Sequence, residues 1–266
     1  MLSYADSTSP ELSVLAGVLQ PLLTRARTTG VDLMVVGAMA RDLLVHHAQG
    51  TRPDRATRDI DIALAVARWS DLDDVMSSHP RVGDSPHRFL VRGVEVDVVP
   101  FRGVETSSRT IRWPNDHVMA VLGFEEALRS AVLVELPGGV VAPVASLPAQ
   151  SLLKLLAWRD RRQDTRKDAV DLRTILVASG HENHLEQLYD NHPDLLESYG
   201  FDPGEAAAHR LGAQARALVD RDAAATVLAL LVDDEFVDQL TAASGPSTAR
   251  GRLLLHAYRR GWVEGV

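Results

Sequence analysis

The spacing of apolar residues changes character partway along the chain, and that change predicts its organisation. Leu12, Leu15, Leu19, Leu22 and Leu23 recur every three to four residues. This predicts a helix from Pro10 to Arg27, capped by Ser9 and ended at Gly30. Asp32 to Val36 is a short apolar strand, Gly37 turns the chain, and Ala38 to His47 reads as a helix. Residues 49–57 form a polar loop containing Gly and Pro. Arg58 to Val66 is a second strand, and Ser70 to Ser78 a helix with Asp71, Asp73 and Asp74 at its positive end. Phe89 to Arg92 and Val94 to Val99 read as strands meeting at Gly93 in a tight hairpin. Val132 to Leu136 and Val140 to Val144 flank Gly138 and Gly139 as another β pair. From Ser146 onward the pattern turns helical. Leu147, Leu152, Leu153, Leu155 and Leu156 and the run Asp168 to Ala178 keep helical spacing, and little later reads as strand. The expectation is an α/β (α+β) protein. A small mixed sheet flanked by helices occupies residues 1–145, and a helical domain occupies 146–266.

One strand disturbs this pattern. In TRDIDIALAV, Ile60, Ile62, Leu64 and Val66 alternate with Asp59, Asp61, Ala63 and Ala65. Side chains on a strand alternate between faces, so both carboxylates point the same way. Like charges side by side are unfavourable without a cation between them. A third carboxylate, Asp97, lies in VEVDVVPF. If its strand neighbours the Asp59 strand, three hard oxygen ligands meet on one sheet face. They suit one or two Mg²⁺ ions, which about 4 Å apart clamp the attacking and leaving oxygens of a phosphoryl displacement. Asp59 and Asp61 would hold the metal that carries a triphosphate. Asp97 would complete the second position and help to deprotonate an attacking hydroxyl. A solvated edge strand is the plainer alternative for an Asp-X-Asp.

Two further stretches carry charge in a telling place. In VVGAMARDLL a strand leads through Gly37 into a helix start, where backbone N–H groups face an approaching anion. Arg41 is placed to reach phosphate oxygens, or to pair with Asp42. In SLLKLLAWRDRRQDTRKDAVDLRTIL, Lys154, Trp158 and Arg161 share one helix face, and Asp164, Asp168 and Asp171 share a face of the next. Lys154 is a candidate phosphate contact that Asp168 or Asp171 would hold in place. A solvated charge network is again the plainer alternative. No P-loop, dinucleotide fingerprint, GxSxG elbow or HExxH motif occurs.

Composition narrows the field. The chain of 266 residues has no cysteine, so disulfides and thiolate metal sites are excluded, which fits a reducing compartment. Its net charge of −8 argues against a dedicated duplex-DNA binder. It still leaves room for a local basic surface such as Arg159, Arg161, Arg162, Arg166, Lys167 and Arg173. The first residues lack a basic segment followed by an apolar core, and residues 223–232 are too short an apolar run to span a bilayer. A cytoplasmic protein without membrane contact is expected.

Gly37, the TRDIDIAL strand and VEVDVVPF together resemble the polymerase-β-like nucleotidyltransferase superfamily. GAMARDLL followed by the Asp59-Ile60-Asp61 triplet is similar to the GG-x-x-RD … DxD arrangement of tRNA CCA-adding enzymes. KLLAWRDR … RKDAVDL resembles more specifically the AbiEii/AbiGii-type nucleotidyltransferases, which include toxins of toxin–antitoxin systems. The resemblance spans about residues 34–177. It implies Mg²⁺ and a nucleoside triphosphate (NTP), with Asp59, Asp61 and Asp97 as metal ligands. It implies Lys154 as a phosphate or catalytic-support lysine and Asp168 or Asp171 as the late motif aspartate. Gly37, Ala38, Arg41, Thr57 and Lys154 are the residues expected to bind the nucleotide. A tRNA 3′ end as acceptor and a cognate antitoxin protein as partner are implied in the same way. Where the superfamily usually has Gly-Ser or Gly-Gly, this chain has Gly37-Ala38, so no hydroxyl is supplied to the γ-phosphate. Two other readings stay open: a small-molecule or protein acceptor for the same chemistry, and a catalytically silent binding protein.

Overall fold

The computed structural model describes residues 1–52, 59–245 and 248–265. The chain divides into two compact units: Met1–Leu43 with Arg52–Ser146, and Leu44–Thr51 with Leu147–Val266.

The first unit is built on a mixed seven-stranded sheet. Its strands are β1 (Leu2–Ser3), β2 (Asp32–Val36), β3 (Asp59–Val66), β4 (Arg88–Val91), β5 (Val94–Arg102), β8 (Val132–Leu136) and β9 (Val140–Val144). Their order is β1-β8-β9-β2-β3-β5-β4. The central pairs are β2 antiparallel to β3 and β3 parallel to β5. Helix α1 (Pro10–Thr29) begins at the Ser9 cap, whose side chain accepts from the Leu12 N–H, and buries its leucine stripe. Helix α2 (Gly37–Asp42) follows β2 directly, and α3 (Trp69–Met76) follows β3. The helix expected over Ala38–His47 is thus α-helical only to Asp42 and continues as a π-helix, Leu43–His47.

Three small elements had no readable signal. They are the two-stranded sheet of β6 (Thr110–Arg112) and β7 (Val118–Ala120), and α4 (Phe124–Arg129). Three-residue strands hold too few positions for alternation to show. Strand β5 also runs past the expected end at Val99, through Pro100. The Val98 N–H donates to the His87 carbonyl on the β4 side, so two residues on, Pro100 needs no donor where β4 has already ended.

The second unit contains α5 (Leu147–Arg161), α6 (Lys167–Ser179), α7 (Glu182–Asn191), α8 (Pro193–Ser198), α9 (Pro203–Leu218), α10 (Arg221–Val232), α11 (Asp234–Ala243) and α12 (Thr248–Glu264). Asp202, Asp220 and Asp233 start α9, α10 and α11, each accepting from the N–H three residues on. Helices α9 and α12 pack almost backbone to backbone. A Cβ on Gly212 would lie 2.0 Å from the Tyr258 carbonyl oxygen. Tyr258 is fully buried, with its hydroxyl 3.1 Å from Ser151 Oγ on α5. Among the described residues no helix is long and apolar enough to cross a membrane.

Candidate active site

The register of β3 against β5 decides what the acidic strand faces. Asp61 lies opposite Asp97, and Asp59 opposite Glu95. In a parallel pair, opposite residues share a sheet face, so four carboxylates project from one side. Ile60 and Ile62 point to the other side and are buried. Further along the acidic face, Ala63, Ala65 and Phe101 are buried, and Phe101 meets Phe124 of α4 with ring centroids 6.0 Å apart. The open part of this face is therefore its acidic end.

Gly37 abuts Asp61. Its φ is +67°, and a Cβ there would sit 2.1 Å from Asp61 Oδ2. Any side chain at 37 would displace the carboxylate, so the glycine is required both by conformation and by space. On the opposite flank, Arg88 of β4 lies across from Asp97 in the antiparallel hairpin. Its fork grips both carboxylate oxygens, Nε to Oδ1 at 2.7 Å and Nη2 to Oδ2 at 2.8 Å. Its Nη1 also lies 3.2 Å from Glu95. The hydrogen bond and charge of Asp97 raise the Arg88 pKa, with Glu95 and Asp59 adding to the effect, so the guanidinium is locked in its charged form. Next to it, burial lowers the pKa of His87, against the opposing pull of the Asp97 charge. The His87 ring lies 5.4 Å from that of Trp113.

Sequence reasoning passed over Arg88 and Glu95, although a signal for Arg88 existed. Arg92 and Gly93 both have positive φ, 51° and 82°, as a two-residue primed hairpin turn requires. Once that turn is placed, pairing Val91 with Val94 makes Arg88 the partner of Asp97.

The donors on this face are all oxygen, which suits a hard divalent cation in kind. Asp59, Asp61 and Asp97 lie on the right face, but Arg88 holds both oxygens of Asp97. Among the described residues no three potential ligands are grouped so as to hold a metal ion.

The other predicted residues fall in different settings. Arg41 is buried and bonded to its neighbour, Nε to Asp42 Oδ1 at 2.8 Å. Ala38 is buried at the start of α2. Thr57 lies outside the described residues. In the second unit, Lys154 of α5 contacts Asp171 Oδ2 at 2.7 Å and Asp168 Oδ1 at 3.2 Å. Arg161 donates to Asp168 through two bonds of 2.7 and 2.9 Å. Asp168 is completely buried and Asp171 nearly so. Burial alone would raise the Asp168 pKa, but the Arg161 hydrogen bonds and the charges of Lys154 and Arg161 outweigh it and leave it low. Trp158, on the same helix face as Lys154, is buried, while Arg161 at the end of that face is more than half exposed. The basic run is partly neutralised: Arg159 pairs with Asp160, and Arg161 with Asp168.

No family model and no curated protein matches this chain. Among solved structures it is similar to an antigenic nucleotidyltransferase-like protein from Paracoccidioides brasiliensis, at 19% identity and TM-score 0.44, over 74% of this chain and 94% of that one. It is also similar to ANT(2″)-Ia in complex with adenylyl-2″-tobramycin, at 15% identity and TM-score 0.41, over 68% and 98%. The Thermotoga maritima CCA-adding enzyme complexed with tRNA aligns at 13% identity and TM-score 0.26, over 97% and 82%. These nucleotidyltransferase likenesses are too loose to assign a family or an activity.

Proposed function

We propose that this protein is a nucleotidyltransferase that moves a nucleoside monophosphate from an NTP to an acceptor hydroxyl, with release of pyrophosphate. The observation that carries the reading is the placement of Asp59, Asp61 and Asp97 on one sheet face, with Asp61 against Gly37. Bound Mg²⁺ would supply charge neutralisation on the triphosphate and on the attacking oxygen. Asp59 and Asp61 would hold it, joined by Asp97.

Gly37 leaves the backbone bare beside Asp61, where a triphosphate can approach closely. Asp97, opposite Asp61, would take the proton of the attacking hydroxyl once released from Arg88. Lys154, held by Asp168 and Asp171, would support the phosphates. The AbiEii/AbiGii-like motifs favour a tRNA 3′ end as acceptor and a toxin whose antitoxin is a separate protein. The test is incubation with Mg²⁺, each α-³²P-labelled NTP in turn and total tRNA, beside an Asp59→Asn/Asp61→Asn variant. Label should appear on RNA with the native chain alone. Label on a small molecule or on protein would move the acceptor; the absence of label on RNA, protein and small molecules would sink the transferase reading.

A further inference from the structure

We propose that the cleft between α1, the end of α3 and the β4–β5 turn binds the phosphate group of a small molecule. The cleft has a volume of about 560 Å³ and is lined by α1 within residues 20–28, by Val75, Ser78 and His79, and by Arg92 of the turn. None of these residues belongs to the acidic face, so the site stands apart from the transferase reading. The chain carries 36 acidic residues against 28 basic ones, yet two arginines and no carboxylate line this cleft. Arg92 has positive φ in the two-residue turn, and its side chain reaches back to α1 beside Gly17. A Cβ at 17 would lie 3.7 Å from Arg92 Nη1, so the glycine leaves the guanidinium room along the helix. Among the described residues Arg92 has no ion pair or hydrogen bond through its side chain. Arg25 commits only Nε, to the Asp74 carbonyl 3.0 Å away, which fixes its stem and leaves both terminal nitrogens available. Burial lowers the His79 pKa, so near pH 7 the ring is neutral and one nitrogen donates. Ser78 and Gln20 add a hydroxyl and an amide donor. The Thr24 and Thr28 hydroxyls already donate to helix carbonyls and add none. Two guanidiniums from different elements need acceptor oxygens on more than one side. A phosphate offers them and a carboxylate does not. Pro21 and Val75 give the cleft an apolar part for the organic portion of a phosphate ester, and its volume lies within the roughly 300–1,000 Å³ of small-molecule sites.

The test titrates the full chain with glycerol 3-phosphate and, separately, with inorganic phosphate, at fixed pH and ionic strength. The ring signals of His79 report binding by ¹H–¹³C NMR, assigned from their loss in His79→Gln. In the native chain they should move and saturate in the millimolar range or below. Arg92→Asn, which suits the backbone of the turn, and Arg25→Gln should each weaken binding about tenfold, the scale of one lost charge-assisted contact. The double variant should not saturate. Tighter binding of glycerol 3-phosphate supports the inference and names a phosphate ester as the ligand. Equal affinity for the two supports it and names free phosphate. Thermal melts establish that each variant is folded; if Arg25→Gln is not, Arg92→Asn carries the comparison. His79 signals that do not saturate with either compound overturn the inference, and so do folded arginine variants that bind as the native chain does. Either failure leaves the transferase reading standing, because the acidic face takes no part in the measurement.

Discussion

Two of the molecule's gatherings of carboxylates and cations are built to opposite ends. On the sheet, Asp59, Asp61, Glu95 and Asp97 share a face with Arg88, and the Asp97 side chain keeps 17% of its exposure. Between α5 and α6, Asp168 and Asp171 meet Lys154 and Arg161, with Asp168 completely enclosed. The helical quartet sets the buried Asp168 and Asp171 against Lys154 and Arg161, with only the Arg161 side chain largely exposed. The sheet face carries four carboxylates, and its acidic end is the more open part. A closed, balanced network holds side chains in place. On the proposed reading, the open, acid-rich one is where a cation would bind.

The comparison breaks most readily at the lysine. Lys154→Met should cost about 3–5 kcal/mol of stability, because Asp171 and Asp168 are left buried with too little positive charge. Urea denaturation measures this; a loss below 1 kcal/mol would mean the quartet is not closed. Next comes Gly37→Ala, expected to cost about 1–3 kcal/mol through its positive φ and the clash with Asp61. The same variant should weaken Mn²⁺ binding, whereas Lys154→Met should leave metal affinity in a folded sample untouched.

The finest test is acidity. The folded pKa of Asp168 lies below its unfolded value. Its ionised form therefore stabilises fully above the ordinary carboxylate pKa of about 4, and the contribution fades as pH falls through the folded value. The stability gap between the native chain and Asp168→Asn should be constant from pH 7 to 5 and narrow below pH 4. A gap that widens on acidification would reverse the assignment.

Long periodic elements were legible and short or cross-strand features were not. The leucine stripe of α1 marks Pro10–Arg27, and the helix spans Pro10–Thr29. The apolar run of β2 gives its bounds directly. The shared face of Asp59 and Asp61 follows from strand periodicity. Their meeting with Asp97 needed a strand pairing that alternation alone does not supply, and β3 beside β5 supplies it. The π-helix at Leu43–His47 has no periodic signature, because one wide turn looks like any helical run. Arg41 is offered by the sequence to phosphate or to Asp42, and its burial beside Asp42 is a matter of packing that spacing alone does not give. Arg88 was missed because its meaning lies in its cross-strand partner, not in its neighbours.

The Arg92-Gly93 turn has a consequence for how this chain can change over time. Two residues close the hairpin, so the loop has no slack. Substitution at Arg92 by asparagine suits the same backbone and would be absorbed. A single inserted or deleted residue would not, because it slips one strand past the other and turns Arg88 to the opposite side of the sheet from Asp97. The loop is free in its spelling and fixed in its length, so lineages that keep this chemistry should carry gapless alignments across it.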